Sequence, residues 1–447
     1  MEQKRAQFGS HLGLLMTIIG SAVGFGNIWR FPYLVGENGG GAFLLLYLGI
    51  TVAVGLPLML SEFIIGKKGQ SNCVGSFKKL SPNSSWHFIG YISIITGFAI
   101  LGFYSVIGGW TIFFFVDSIT GAATTSTELS GQNFNDFINS AWKPALISLG
   151  FVATVGAIVL RGVEKGIEKA NKILMPFLVV ILVVLAINSL TLDGAKEGLT
   201  FLFKPDFSVI TFNTFLAALG QVFFTLSIGM GVIITFSSYV KKEYNMLRTQ
   251  LIVITSDTLI AILAGVVIFP AVFSFGLNPS EGPTLAFVVL PTLFAQMTGG
   301  AILASLFFLM LFIAAVTSAI SILEMVTAFM VEHYKISRLK AIIIPLIVIA
   351  TLAMLSALSQ SDKYTIEVLG LNLFDFLDTL SANYLMTFAA LLTVIFAGWK
   401  IDRSSMRDAF TSGGKYNVRI FSFLRFMIRY VVPLVIAVIM LSEFNII

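Results

Sequence analysis

Gly20-Ser21-Ala22-Val23-Gly24-Phe25-Gly26-Asn27-Ile28-Trp29-Arg30-Phe31-Pro32 lies inside an apolar block long enough to cross a membrane, at the depth of the bilayer centre. It sets three glycines within seven residues, ahead of an asparagine and an arginine. Glycine costs roughly 1 kcal/mol relative to alanine in a helix interior, so the run reads as an interrupted helix. Close packing of helices would account for Gly20-xxx-Gly24 but not for Asn27 or Arg30. A matching interruption, Gly220-Gln221-Val222-Phe223-Phe224-Thr225-Leu226-Ser227-Ile228-Gly229-Met230-Gly231, follows five apolar blocks later. Two interrupted helices at corresponding positions point to an inverted repeat with a binding site between its halves.

The rest of the chain supplies the frame. Its 447 residues are 57% apolar and 11% charged, with mean hydropathy +0.92, whereas about a quarter of the residues in a soluble domain are charged. An all-α integral membrane protein is implied, and soluble enzymes are excluded. Apolar blocks of roughly 20 residues predict spanning helices rather than barrel strands. Eleven spans are expected, at about 10–36, 41–66, 88–118, 142–160, 170–190, 213–239, 247–276, 299–332, 339–358, 373–399 and 418–443. They form a single transporter-like domain: repeat 1 over about 10–190, repeat 2 over about 213–399, and span 11, about 418–443, outside the repeat. Cys73 is the one cysteine, and His11, His87 and His333 lack metal-ligand spacing, so redox and zinc chemistry drop out. The net charge of +5 sits in short loops and reports topology, not nucleic-acid binding. With the N-terminus inside, only Lys143, Lys196, Lys204 and Lys363 fall on the outer side, and an odd span count places the C-terminus outside. Lys4 and Arg5 precede a first block too long for a cleavable signal core, so that block is retained as span 1. The outer segments 191–212 and 277–298, the latter with Pro279, Pro283 and Pro291, are long enough for short helices capping a cavity.

Unwound backbone in lipid needs partners for its peptide groups. Carbonyls freed at a break suit a hard cation such as sodium, and amides opening the following half-helix suit a carboxylate. Asp257, well inside span 7, is a charge expensive enough to mark a functional site, unless it is a structural acid hydrogen-bonded to Asn27 or Gln221.

These residues resemble the neurotransmitter:sodium symporter family, the bacterial amino-acid symporters of the LeuT fold, close to bacterial transporters of tyrosine and hydrophobic amino acids. Gly20 to Pro32, Glu37-Asn38-Gly39-Gly40-Gly41-Ala42-Phe43, Gly55-Leu56-Pro57 with Glu62, Arg161 to Glu168, Gly220 to Gly231 and Thr317-Ser318 carry the resemblance, over nearly the whole chain. It implies a 5+5 inverted repeat, spans 1–5 against 6–10, with spans 1 and 6 unwound. Two sodium ions are implied. One would use the carbonyls of Gly20, Val23 and Ala314 with the hydroxyls of Thr317 and Ser318, although such a hydroxyl pair also fits back-bonding within its own helix. The other would use the Ala22 carbonyl, Asn27, Thr225, the substrate carboxylate and a span 7 ligand. The family has an asparagine there, and this chain has Ser256 followed by Asp257. Chloride in the chloride-dependent relatives would be replaced by Asp257. Glu62 would support the unwound part of span 6.

The resemblance further implies a substrate carboxylate held by amides around Gly24 and Gly26 and by the Tyr104 hydroxyl. The amino group would meet carbonyls of Ala22, Phe224 and Thr225 near Ser227, and Phe25, Ile100, Phe224, Met230 and Ile322 would line the side-chain pocket, with Ser318 at its edge. Methionine at 230, flexible and polarisable, favours an aromatic or large apolar substrate, tyrosine or tryptophan among them. Arg30 and Asp375 would close the outer path, and Arg5 and Glu332 the inner one. The expected activity is sodium-coupled symport of a hydrophobic or aromatic amino acid into a bacterial cell across its inner membrane, by alternating access and without covalent chemistry. The implied partners are a small amino acid, sodium ions and the lipid bilayer, with no nucleic acid and no oligomeric state indicated. A symporter of the same fold for a betaine or nucleobase, or an amino-acid-binding membrane sensor, stands as the alternative.

Overall fold

The computed structural model describes residues 8–120, 127–240, 244–277 and 286–443. Nine helices within them are long and apolar enough to cross a membrane: Gly41–Gly69, Ser85–Thr120, Trp142–Leu160, Val163–Ser189, Met246–Ser274, Gly300–Tyr334, Arg338–Ser359, Leu373–Lys400 and Phe421–Ser442. A tenth is bent by 50° between His11–Ala22 and Gly26–Glu37. The eleventh expected segment is split into Phe212–Thr225 and Val232–Ser237, each too short to span alone. In chain order these are spans 1 to 11, with halves 1a, 1b, 6a and 6b. Span 5 starts at Val163 rather than near 170, because a wide turn at Val163–Glu168 follows Gly162, whose φ is 87°.

Both breaks have local causes. Ser10 caps span 1a by accepting from the Gly13 amide, and the helix ends at Ala22 because Val23 turns extended, with ψ of 106°. The chain resumes in a wide π turn at Gly26–Arg30, a form that often marks functional sites. Span 6a begins in a capping box between Thr211 and Thr214 and stops at Thr225. Ser227, Gly229 and Gly231 then take φ of 53°, 80° and 75°. A Cβ on Gly229 would lie 2.2 Å from the Met386 carbonyl oxygen, so that position is closed to any side chain. The freed Gly229 amide donates to the buried Glu62 carboxylate at 2.7 Å, and its carbonyl accepts from the Ser93 hydroxyl at 3.2 Å.

The interrupted helices are enclosed by unbroken ones. Span 8 packs along spans 3 and 5, span 9 along span 4, and span 1a lies against spans 5, 7 and 8. Apolar side chains such as Val180 and Ile187 on span 5 and Ile347 on span 9 face outward, as lipid allows. The segment 191–212 holds a short helix, Ala195–Phe203, and the segment 277–298 holds Val289–Gln296. Pro279 and Pro283 lie outside the described residues. Sequence hydropathy did not reveal the amphipathic helices Cys73–Leu80, Thr127–Asn139 and Arg403–Thr411, or a hairpin pairing Glu367 with Asn372.

One buried ion pair ties span 9 to span 8. Arg338 meets Glu324, whose side chain is fully buried and also accepts from the Tyr239 hydroxyl at 3.1 Å. Removing one partner of a buried pair typically costs about 3–5 kcal/mol. Arg338→Ala is therefore expected to lower the thermal unfolding midpoint of the purified protein, and adding Glu324→Leu should restore part of it. An unchanged midpoint for the single variant would contradict the assignment.

Candidate substrate and ion site

The two breaks converge on one cavity. Ser21, Ala22, Gly24, Phe25 and Gly26 of the first break, Phe224, Ser227 and Met230 of the second, Ile100 and Tyr104 of span 3, and Ser318 and Ile322 of span 8 line it. Its free volume is about 20 Å³, close to the room one water needs. Any ligand larger than a water molecule must therefore push side chains aside to enter. Phe224 lies over this opening: a Cβ on Gly26 would come within 3.1 Å of its ring, and the Arg30 guanidinium sits 4.8 Å from the ring centroid.

The polar wall of the cavity is mostly backbone. The Ser318 hydroxyl lies within 3.2–3.4 Å of the carbonyl oxygens of Gly20, Ser21 and Val23. A single O–H cannot satisfy three carbonyls, so surplus acceptors remain around it, an arrangement that suits a hard cation. The Thr317 hydroxyl sends its hydrogen back to its own helix, to Ile313 and Ala314 at 3.1 and 3.0 Å, which brings its oxygen beside the Ala314 carbonyl. Ser318 thus gathers the carbonyls of Gly20, Ser21 and Val23, while the Thr317 and Ala314 oxygens lie together within span 8. The Phe25 amide donates to the Tyr104 hydroxyl at 3.4 Å, and Ser227 donates to the Ser21 carbonyl at 2.9 Å, which stitches one break to the other.

A second polar group lies beside the first. Asn27 donates to the Asp257 backbone and side chain at 3.0 and 2.8 Å, and its amide oxygen accepts from the Gly24 amide at 3.2 Å. Thr225 reaches both Asp257 oxygens at 3.2 and 3.3 Å, and Tyr47 reaches one at 3.4 Å. Asp257 is fully buried and, among the described residues, has no basic partner. A buried carboxylate with oxygen neighbours of this kind could hold a hard cation. Gln221 spends its amide on the Gly26 carbonyl at 2.6 Å.

A model of the sodium:neurotransmitter symporter family matches residues 5–141 and 128–447. The chain belongs to that family. Among its relatives is the sodium-dependent transporter YhdH of Bacillus subtilis, 37% identical over 99% of this chain and 98% of that one. A sodium-dependent transporter of Haemophilus influenzae is 38% identical, with the same coverage. More distant is the sodium-dependent serotonin transporter of Drosophila melanogaster, 28% identical over 75% of this chain and 61% of that one. The crystal structure of MhsT in complex with L-phenylalanine superposes with a TM-score of 0.90 and 42% identity, covering 98% of this chain and 100% of that one. The fold is therefore that of the LeuT-type symporters, an all-α membrane architecture with a 5+5 inverted repeat and one extra span.

Within this symporter fold, three of the expected positions have the following partners. Asp257, not Ser256, meets Asn27 and Thr225, while Ser256 is partly exposed and makes no side-chain hydrogen bond among the described residues. Asp375 is exposed and accepts from Asn372 at 2.6 Å, with no ion pair to Arg30 among the described residues, and Asp378 lies one turn further along span 10. Glu332 accepts from the Ser71 hydroxyl and from the Asn72 amide and side chain at 3.0, 2.7 and 2.9 Å, which ties span 8 to the helix Cys73–Leu80. Arg5, its expected partner, lies outside the described residues. Ser21 lines the cavity and was not anticipated, because it contributes through its carbonyl, which leaves no mark in a sequence.

Proposed function

We propose that this membrane transporter couples the entry of a hydrophobic or aromatic amino acid to sodium, by alternating access around the cavity between the broken spans. The observation that carries this reading is the meeting of both breaks at one buried cavity walled partly by freed backbone. The substrate carboxylate takes the amides around Gly24 and Gly26 and the Tyr104 hydroxyl. The amino group takes the carbonyls of Ala22, Phe224 and Thr225, beside Ser227. Phe25, Ile100, Phe224, Met230 and Ile322 hold the side chain, with Ser318 at the edge. One sodium occupies the oxygens of Gly20, Val23, Ala314, Thr317 and Ser318. A second occupies those of Ala22, Asn27, Thr225 and Asp257, with the substrate carboxylate completing its shell. Asp257 supplies in this site the negative charge that chloride brings in chloride-dependent relatives. The L-phenylalanine bound to MhsT supports a large apolar substrate.

Residues 10–190 and 213–399 act as the two repeats, with span 11 outside them. The Lys- and Arg-rich side faces the cytoplasm of a bacterial inner membrane, which leaves the C-terminus outside. Arg30 with Asp378 screens the outer path, and Glu332 belongs to the inner one. No covalent step is involved. Two sodium ions crossing 100 mV release about 4.6 kcal/mol, and a tenfold sodium gradient adds about 2.8 kcal/mol. Together they sustain roughly a 10⁵-fold accumulation of substrate when both ions are coupled.

Uptake of labelled amino acid into proteoliposomes tests the proposal. Replacing external sodium by potassium should abolish accumulation, and unchanged uptake would refute sodium coupling. Saturable binding without accumulation would favour a sensor instead. Met230→Phe is expected to weaken aromatic substrates more than leucine, by roughly tenfold, because overfilling a packed site costs about 1–3 kcal/mol. Equal losses for leucine and tyrosine in a competition series would remove Met230 from the pocket.

A further inference from the structure

A second, much larger cavity, about 740 Å³, opens on the Lys- and Arg-rich side, where the end of span 2 meets the link between spans 10 and 11. Lys67, Lys68, Lys400 and Lys415 line it together with Asp402 and Asp408. Both acids are already engaged. Asp402 caps the helix Arg403–Thr411, accepting from the Ser405 amide at 2.8 Å, and Asp408 pairs with Lys68 at 3.5 Å. Lys67 is spent on the carbonyls of Tyr244 and Ala409 and on the Ser412 hydroxyl, at 3.1, 3.4 and 2.9 Å. Lys400 and Lys415 are exposed and have no ion pair among the described residues. The surplus grows along the link: Arg403, Arg407, Arg419, Arg425 and Arg429 add to it, and no acid occurs between Asp408 and Glu443.

The surroundings are those of a membrane interface. Trp399, Phe423, Phe426 and Tyr430 are exposed, and the Arg429 guanidinium stacks over Trp399 at 4.2 Å. Exposed aromatic rings beside cations mark the headgroup level, where acyl chains and phosphates meet. A soluble anion would need the lysines alone. A ligand with a phosphate and apolar tails matches both the cavity and the rings outside it. We propose that this cavity holds the phosphate headgroup of an anionic phospholipid of the cytoplasmic leaflet, with Lys400 and Lys415 as its unpaired contacts. The leaflet rests on the orientation proposed above, but the site does not depend on sodium coupling or on the substrate. A lipid there would bear on the junction of Lys67, Ser412 and Tyr244, whose ring touches His11 at the start of span 1, 4.7 Å between centroids.

Native mass spectrometry of the purified full-length protein, incubated with phosphatidylglycerol or phosphatidylcholine, tests this. The protein should retain phosphatidylglycerol selectively, and Lys400→Gln/Lys415→Gln should retain it about ten- to thirtyfold less, as the loss of two interfacial cations implies. An unfolding midpoint in phosphatidylcholine equal to that of the parent protein would show that the variant folds. Should the double variant be unstable, Lys415→Gln alone is compared and should show several-fold lower retention. Equal retention of both lipids, or equal retention by parent and variant, would overturn the proposal. Displacement of phosphatidylglycerol by millimolar inorganic phosphate would reassign the cavity to a soluble anion and overturn the lipid.

Discussion

Asp257→Ala is expected to abolish sodium-driven uptake while leaving a folded protein. Asp257 gathers Asn27, Thr225 and Tyr47 in the membrane interior, and its carboxylate has no basic partner among the described residues. A buried charge in that position is tolerable when a cation completes it. Deleting the carboxylate removes both the charge and an oxygen ligand, and even groups supporting a metal ligand are commonly worth about 10–100-fold in affinity. The sodium concentration for half-maximal uptake should therefore rise by about 100-fold or more, beyond physiological reach. Asp257→Asn keeps the shape and one oxygen and is expected to retain a weakened response. Sodium titrations of uptake in proteoliposomes check both, and a parent-like sodium dependence for the alanine variant would exclude Asp257 from ion binding.

Gly24→Ala should be nearly as damaging, for a steric reason. The added Cβ would lie 2.6 Å from the Ser318 hydroxyl oxygen and 2.9 Å from that of Tyr104, the two side chains that face the break. Gly24 does not occupy the left-handed region of backbone space, so alanine fits its conformation and the harm is confined to the site. Displacing both hydroxyls costs about 1–3 kcal/mol by the usual penalty for overpacking, and substrate must pass the same point. Uptake is expected to fall at least about tenfold and toward two orders of magnitude, with the unfolding midpoint lowered by no more than several degrees. Gly26→Ala should be milder, because its nearest neighbour, a Phe224 ring carbon at 3.1 Å, can rotate away. If Gly24→Ala transported normally, the cavity would not be the substrate site.

The broken spans were legible because glycines, asparagine and arginine inside an apolar block contradict a continuous helix, and no packing motif resolves the conflict. Span limits were legible wherever hydropathy falls sharply, as at Trp142–Leu160. Hydropathy fails for a short amphipathic helix: Arg403–Thr411 buries only Met406, Ala409 and Phe410 and otherwise reads as loop. Choices between near neighbours were also out of reach. Ser256 and Asp257 differ by one residue yet point about 100° apart around a helix, and spacing alone did not say which faces Asn27. Asp375 and Asp378 lie on the same helix face, so spacing alone does not choose between them as the partner of Arg30. The carbonyl of Ser21 was invisible for a related reason, since every residue carries one.

Equilibrium binding of labelled L-phenylalanine to the purified protein, with sodium varied against potassium at constant ionic strength, tests the central claim most directly. A carboxylate that shares a site with the cation must raise sodium affinity by the same factor by which sodium raises its own. Binding should therefore be absent in potassium and rise with sodium more steeply than a single-ion curve, and Asp257→Ala should flatten that rise. Equal binding in potassium and sodium would contradict the shared site at the two helix breaks.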